Sequence, residues 1–146
     1  MAAPLDVSVE RTIPAPPERV AAVMFDPSRD SDWMKAVRSA ERLPGPPPRT
    51  RRTGRFLGRT ITWTTEVVED ARPHRLRLRI VDGPFIGDVE YSIQHAGSGS
   101  RVRIRNVGQP GQFAFMPRWL TMAAMKSALR ADLARLSALV QQADRG

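Results

Sequence analysis

The sequence predicts an α+β domain in which a curved, seven-stranded antiparallel sheet grips one long C-terminal helix, with two short helices after the first strand. Three observations predict it. Seven short runs alternate apolar and polar residues, the signature of half-buried strands. The last six follow one another with only turn-length gaps, so no helix-length insert is available for a parallel crossover and the sheet is antiparallel. One long apolar stripe closes the chain and can cover the dry face that such a sheet presents.

The first run, Leu5 to Ile13, alternates until Arg11 and is stopped by Pro14, Pro16 and Pro17. Proline is tolerated in a first helical turn, where its missing N–H has no partner to lose. Glu18 to Phe25 then carries Val20, Val23 and Met24 at helical spacing. A second start at Asp26-Pro27-Ser28 leads to a helix ending near Met34 or Lys35. Val37 to Leu43 is a short strand, and Gly45-Pro46-Pro47-Pro48 a loop, because prolines cannot donate to a ladder. Thr50 to Leu57, Arg59 to Asp70, Arg75 to Val81, Phe85 to His95 and Arg101 to Val107 complete the strands. Gly54 and Gly58, flanking Phe56, suggest bulges or bends. Gly97-Ser98-Gly99 is a hairpin signal. The closing helix runs from about Pro117 to Ala143, with Met122, Met125, Leu129, Leu133, Leu136 and Val140 in its stripe.

Composition narrows the function classes. The 146 residues fit one domain spanning 1–146, 41% of them hydrophobic and 26% charged. No cysteine is present, which excludes disulfides, thiolate metal sites and a cysteine nucleophile. The opening Met1 to Glu10 lacks the pattern of a signal peptide, and no apolar run approaches the ~20 residues that span a bilayer. A cytoplasmic protein without stable membrane insertion is expected. The net charge is +8, yet all but Lys35 and Lys126 of the 23 basic residues are arginine, which points to GC-rich coding as much as to an anionic partner.

The ordered set of elements resembles the START-like, Bet v 1-like (SRPBCC) helix-grip superfamily. Within it, the chain is most similar to bacterial polyketide cyclase/dehydrase and lipid-transport proteins. The resemblance is carried by Ile13-Pro14-Ala15-Pro16-Pro17-Glu18-Arg19-Val20, Asp26-Pro27, Asp32-Trp33 and the closing Leu129-Arg130-Ala131-Asp132-Leu133-Ala134-Arg135-Leu136, and it covers nearly the whole chain. It implies a deep hydrophobic cavity between sheet and helix. It implies no single activity, since one fold serves many functions.

Strand parity names candidate cavity residues. If Leu76 and Ile104 face inward, so do Trp63, Thr65, Tyr91, His95 and Asn106. Trp33 on the second short helix, Phe56, Phe115 in the loop before the last helix, and Trp119, Met122 and Met125 on that helix add aromatic bulk and flexible thioethers. The expected ligand-binding set is therefore Trp33, Phe56, Trp63, Tyr91, Asn106, Phe115, Trp119, Met122 and Met125, around a lipid, polyketide or aromatic metabolite. No catalytic set is assigned. If the protein were a cyclase/dehydratase, Tyr91 or His95 would move the proton and Asn106 would hold a carbonyl oxygen. His74 and His95 are isolated, so no metal site or cofactor is expected.

Arg75, Arg77, Arg79, Arg101, Arg103 and Arg105 share the outer face. A basic partner-binding surface is the rival function there, but Glu66, Asp88 and Glu90 are placed to neutralise the rows. No aromatic residue interleaves with them as single-strand readers require. Nucleic acid is not an expected partner. A homodimer contact is one way the cavity could be filled.

Overall fold

The computed structural model describes residues 4–145. Strand β1 (Leu5–Ile13) is followed by helix α1 (Pro17–Met24), a 3-10 turn (Pro27–Arg29) and the one-turn helix α2 (Asp30–Trp33). Strands β2 (Val37–Leu43), β3 (Arg49–Phe56), β4 (Arg59–Ala71), β5 (Arg75–Asp82), β6 (Ile86–Ala96) and β7 (Gly99–Gln109) come next. A second 3-10 turn (Gly111–Phe113) then leads to helix α3 (Arg118–Arg145). At ~1.5 Å per residue the 28 residues of α3 span roughly 40 Å.

The seven strands form one antiparallel sheet in the order β1-β7-β6-β5-β4-β3-β2. Chain neighbours are sheet neighbours except at one place: β1 and β2 lie at opposite edges. The segment carrying α1 and α2 makes that crossing, which puts both short helices over the open side of the sheet. Pro16 caps α1 in an extended conformation and Pro17 occupies its first position, so the prolines that end β1 also start the helix. Asp26 accepts a hydrogen bond from the Ser28 amide (3.0 Å) and opens the 3-10 turn.

The core follows the predicted periodicities. Val7 and Val9 of β1, Leu76 and Leu78 of β5, Ile93 of β6 and Val102 and Ile104 of β7 are buried at every second position. Against them lie Leu133, Leu136 and Val140 of α3, with Val20, Met24 and Phe25 filling from the α1 side. The two faces of the sheet differ as expected. On the outer face Arg77 lies near Glu69 and Glu90, Arg79 near Asp88, and Arg105 near Asp6. Exposed pairs of this kind contribute ~0–1 kcal/mol each, so the lattice relieves repulsion more than it stabilises.

Two details differ from expectation. Strand β3 runs unbroken through Gly54, and Gly58 sits in the β3–β4 hairpin turn with φ +78°, after Leu57 with φ 52°. One register irregularity does fall at Gly54, where the partner strand β2 carries an extra residue between Val37 and Ser39; the others fall in β4 at Thr64/Thr65 and Val67/Glu69. Gly54 still has a steric role: it pairs with Val37 beside the first irregularity, and a Cβ there would lie 1.6 Å from the Ala36 carbonyl oxygen. Gly54→Ala is therefore expected to cost at least ~3 kcal/mol in urea denaturation, because backbone must move. Gly58→Ala has open space and only its φ to resist it, so ~1 kcal/mol is expected. Equal losses at the two sites would contradict this account.

Candidate ligand cavity

Between the sheet and α3 lies a cavity of about 190 Å³. Its floor is Tyr91 and Val89 of β6, Ile104 and Asn106 of β7, and Ile61 and Trp63 of β4. Met125, Leu129 and Asp132 line it from α3, while Trp33 and Met34 close it from α2. The α3 contributions recur at three- and four-residue spacing because one helix face looks into the sheet. At the far end, Phe56 and Phe85 continue the wall and pack on the buried Phe113, at ring-centroid distances of 5.4 and 5.0 Å. Ile86 also lines the cavity yet is 66% exposed, so the space reaches the surface there.

Of the expected set, Trp33, Phe56, Trp63, Tyr91, Asn106 and Met125 line this cavity. Phe115, Trp119 and Met122 do not. Phe115 is 67% exposed and lies outside Phe113, with the Arg59 guanidinium 5.3 Å from its ring centroid. Trp119 is 70% exposed on the first turn of α3. That turn sits at the edge of the sheet, where the Arg118 guanidinium donates to the Pro4 carbonyl oxygen (2.9 Å). Parity and helical spacing assign a face, but they do not say where an element overhangs its partner. The loop before α3 obeys neither period, and there Phe113 turns inward in place of Phe115. His95 shares Tyr91's parity but is exposed at the strand end, 5.8 Å from the His74 ring.

The sequence reading missed the polar group that positions this wall. Asp30 and Arg52 form a buried ion pair, Nε to Oδ2 at 2.5 Å, and Arg52 also donates to Thr65 Oγ1 at 2.6 Å. Arg52 was legible only as part of the basic run Arg49 to Arg52. The signal that could have found it is parity, since Thr50, Arg52 and Gly54 are buried while Arg51 and Arg55 are exposed. Burial raises the Asp30 pKa, and the Arg52 charge only partly offsets it. At the other end of α2, the Lys35 amide donates to Asp132 Oδ1 (3.1 Å) and Arg135 donates to the Trp33 carbonyl oxygen (3.0 Å). Arg135 also pairs with Asp132. Burial likewise raises the Asp132 pKa.

Tyr91 stands at the centre. Its ring is 6.1 Å from Phe25, stacked, and 6.2 Å from Trp33, edge-on. Desolvation, with the Asp30 charge adding to it, pushes its phenol far above the ordinary value, so the hydroxyl stays protonated. Beyond it lies a second, more polar cleft of about 340 Å³, walled by Asp30, Arg52, Thr65, Arg42 and Arg72. Tyr91 is the one residue among those described that lines both spaces. Two buried polar atoms in the walls of the apolar cavity, Trp33 Nε1 and Asn106 Oδ1, have no hydrogen-bond partner. Among the described residues no cluster of three His, Cys, Asp or Glu side chains is placed to hold a metal, and no helix is long and apolar enough to cross a membrane.

A curved antiparallel sheet wrapped on a long C-terminal helix, with an apolar space between them, defines the helix-grip class. The profile of the family described as polyketide cyclase/dehydrase and lipid transport matches residues 4–141, and the chain belongs to that family. No curated protein matches the sequence. Among solved structures, a Thermus thermophilus protein, TTHA0849, is similar at 27% identity, covering 94% of this chain and 98% of that one with a TM-score of 0.81. A START superfamily protein from Mycobacterium smegmatis is 17% identical over 94% of this chain and 97% of its own, with a TM-score of 0.83. The Zhui aromatase/cyclase from a Streptomyces species is also 17% identical, over 95% and 94%, with a TM-score of 0.80. At that identity the last two show a shared fold.

The buried pair makes a definite prediction. Arg52→Met strands the Asp30 carboxyl and should cost about 3–5 kcal/mol at neutral pH, whereas replacing both, Asp30→Leu with Arg52→Met, should recover most of it. The sign with pH follows from the Asp30 pKa, which burial raises and which rises further when the Arg52 charge that lowers it is removed. A folded-state value above the unfolded one contributes stability at low pH that is lost as pH rises through it. The Arg52→Met deficit should thus be small in acid and deepen towards neutrality. Denaturation midpoints at pH 4 and 7 check this, and a deficit independent of pH would contradict it.

Proposed function

We propose that this protein binds and holds a hydrophobic small molecule in the cavity between sheet and helix, acting as a carrier for it. The observation that carries the reading is the wall itself. Two tryptophans, two phenylalanines, a tyrosine and two methionines converge on one concave space, from strands β3, β4 and β6, the turn before β6, helix α2 with the residue after it, and helix α3. Ligand sites have this character, mostly apolar with a few placed polar groups. Size limits the occupant. An apolar protein cavity of ~150 Å³ takes up benzene. A space of about 190 Å³ suits one ring system or a short chain, and a longer body would extend past Ile86 to the surface.

The family also contains cyclases, and Tyr91 and Asn106 line the cavity as such a reaction would require. Two facts favour holding over transforming. The Tyr91 phenol is held far from the range in which it could act as a base. His95, the other proton carrier of that reading, lies outside the cavity wall.

Trp33 and Trp63 report on the test directly. Uptake of the neutral probe N-phenyl-1-naphthylamine should change the tryptophan emission, and native mass spectrometry of freshly purified protein should find a retained apolar molecule. Ala128, which lines the cavity from α3, offers a blocking site. Ala128→Phe should weaken probe binding at least ~10-fold, about 1.4 kcal/mol, while leaving the fold intact. Tyr91→Phe should weaken binding modestly. A protein that takes up no apolar probe, or an Ala128→Phe variant that binds as well as the wild type, would defeat the proposal. Turnover abolished by Tyr91→Phe would establish the cyclase reading instead.

A further inference from the structure

We propose that the open end of the cavity docks on an anionic lipid surface, with Phe115 and Trp119 seated among the headgroups and Arg55, Arg59 and Arg118 against their phosphates. The proposal goes beyond the holding of a ligand and does not depend on it. It starts from apolar side chains left in water. Ile86, Phe115 and Trp119 are 66%, 67% and 70% exposed, and Leu57 and Leu120 are exposed with them. Single apolar residues on a surface are ordinary, whereas a group of large ones marks a contact with a partner or a membrane.

These residues share one end of the molecule. Three of them are set by the aromatic cluster of Phe56, Phe85 and Phe113. Leu57 follows Phe56, Ile86 follows Phe85, and the Phe115 ring centroid lies 6.5 Å from that of Phe113. Trp119 and Leu120 stand on the first turn of α3, which Arg118 ties to the Pro4 carbonyl just before β1. There Leu5 pairs with Gly108 and Ile86 with Gln109, so this turn and Ile86 belong to the same end of the sheet. Ile86 also lines the cavity, which makes that end its mouth.

Charge chooses the partner. Residues 42–65 and 108–131, which supply β3, its turn and the start of α3, contain no aspartate or glutamate. The arginines they bring to the mouth meet backbone carbonyls and a ring instead of carboxylates. Arg55 donates to the Gly58 carbonyl, Arg118 to that of Pro4, and Arg59 lies over Phe115. None of the three forms an ion pair among the described residues, in contrast to Arg77, Arg79 and Arg105 on the outer face. Asp82 and Asp88 flank the third segment of the mouth, and Asp88 is taken up by Arg79 at 3.3 Å. Exposed Trp and Phe beside unpaired arginines suit the interfacial layer of an anionic bilayer, where rings enter the headgroup region and guanidinium groups meet phosphates. A second copy of the chain fits less well, because two such ends would set like charges against one another. Docked in this way, the mouth opens on the bilayer and an apolar ligand passes between them without crossing water.

Co-sedimentation of the whole chain with vesicles tests this. Vesicles of phosphatidylcholine with about a third phosphatidylglycerol should bind the protein at least ~10-fold more tightly than phosphatidylcholine alone, and high salt should shrink the difference. Tryptophan emission should shift to the blue on the mixed vesicles as Trp119 leaves water. Phe115→Ala and Trp119→Ala should each weaken binding about fivefold or more, with melting temperatures unchanged because both side chains are exposed. Arg59→Gln should weaken it about fivefold, whereas Arg101→Gln, which removes the same charge at the other end of β7, should leave it unchanged. No binding to either vesicle, binding indifferent to Phe115→Ala and Trp119→Ala, or an equal loss in Arg101→Gln would overturn the proposal. So would a dimer abolished by Trp119→Ala in place of vesicle binding, which would give the patch to a second copy. Uptake of N-phenyl-1-naphthylamine without vesicles tests the ligand reading separately: a protein that docks but takes up no probe keeps this proposal and loses that one.

Discussion

The geometry of the cavity depends on how a single four-residue helix is tied down. Helix α2 is too short to hold itself in water, because a helix of one turn spends more backbone entropy than its hydrogen bonds return. It is held at its start by the buried Asp30–Arg52 pair, and at its end by Lys35 to Asp132 and Arg135 to the Trp33 carbonyl. Those ties reach β3 on one side and α3 on the other. Between them sits Trp33, fully buried, with its ring edge against Tyr91. Without the ties, the wall made of Trp33 and Met34 keeps only its apolar packing on the core. A buried ion pair adds little net stability for its desolvation cost. Here its effect is positional: it decides where an indole stands.

Tyr91 gives that placement a consequence. It stands between an apolar space and a more polar one, and both spaces use it as a wall. On one side the lining is mostly Trp, Phe, Met and aliphatic, with Asp88, Asn106 and Asp132 among it. On the other are Asp30, Arg52 and Thr65, whose hydrogen bonds are made among themselves. The position of Tyr91 accounts for the high pKa of its phenol, which is buried and lies near a carboxylate rather than water.

The family relation sets bounds without choosing an activity. The same fold is found in a START superfamily protein and in an aromatase/cyclase, at identities too low to transfer chemistry. What distinguishes this chain must lie in its own wall residues. The positive charge of its outer sheet face does not do so in any evident way. Several arginines of the outer sheet face meet carboxylates, as the alternating placement of Glu66, Asp88 and Glu90 on neighbouring strands suggests.

Local periodicity determined much from the sequence alone. Alternation in β1, β5 and β7, the stripe from Met125 to Val140, and the prolines around α1 specify their elements because each signal is read within one or two turns of chain. The seven strands, their antiparallel order and the long closing helix are legible for that reason. The inward direction of Tyr91, Trp63 and Asn106 follows from the same period of two, and the structure places all three in the cavity wall. What only the tertiary structure decided is everything set between elements distant in sequence. Arg52 and Asp30 are 22 positions apart, and Lys35 and Asp132 are 97 apart. Neither partner marks the other. Phe113 and Phe115 differ by two residues in a segment without a period, so only packing against Phe56 and Phe85 could choose which turned inward. Trp119 has helical spacing suited to the stripe, yet it lies where α3 passes beyond the sheet. A cavity is the space that such long-range choices leave unfilled. The chain could announce its lining by residue type and parity, while its shape and its two unmet polar atoms emerged only when helix and sheet were brought together.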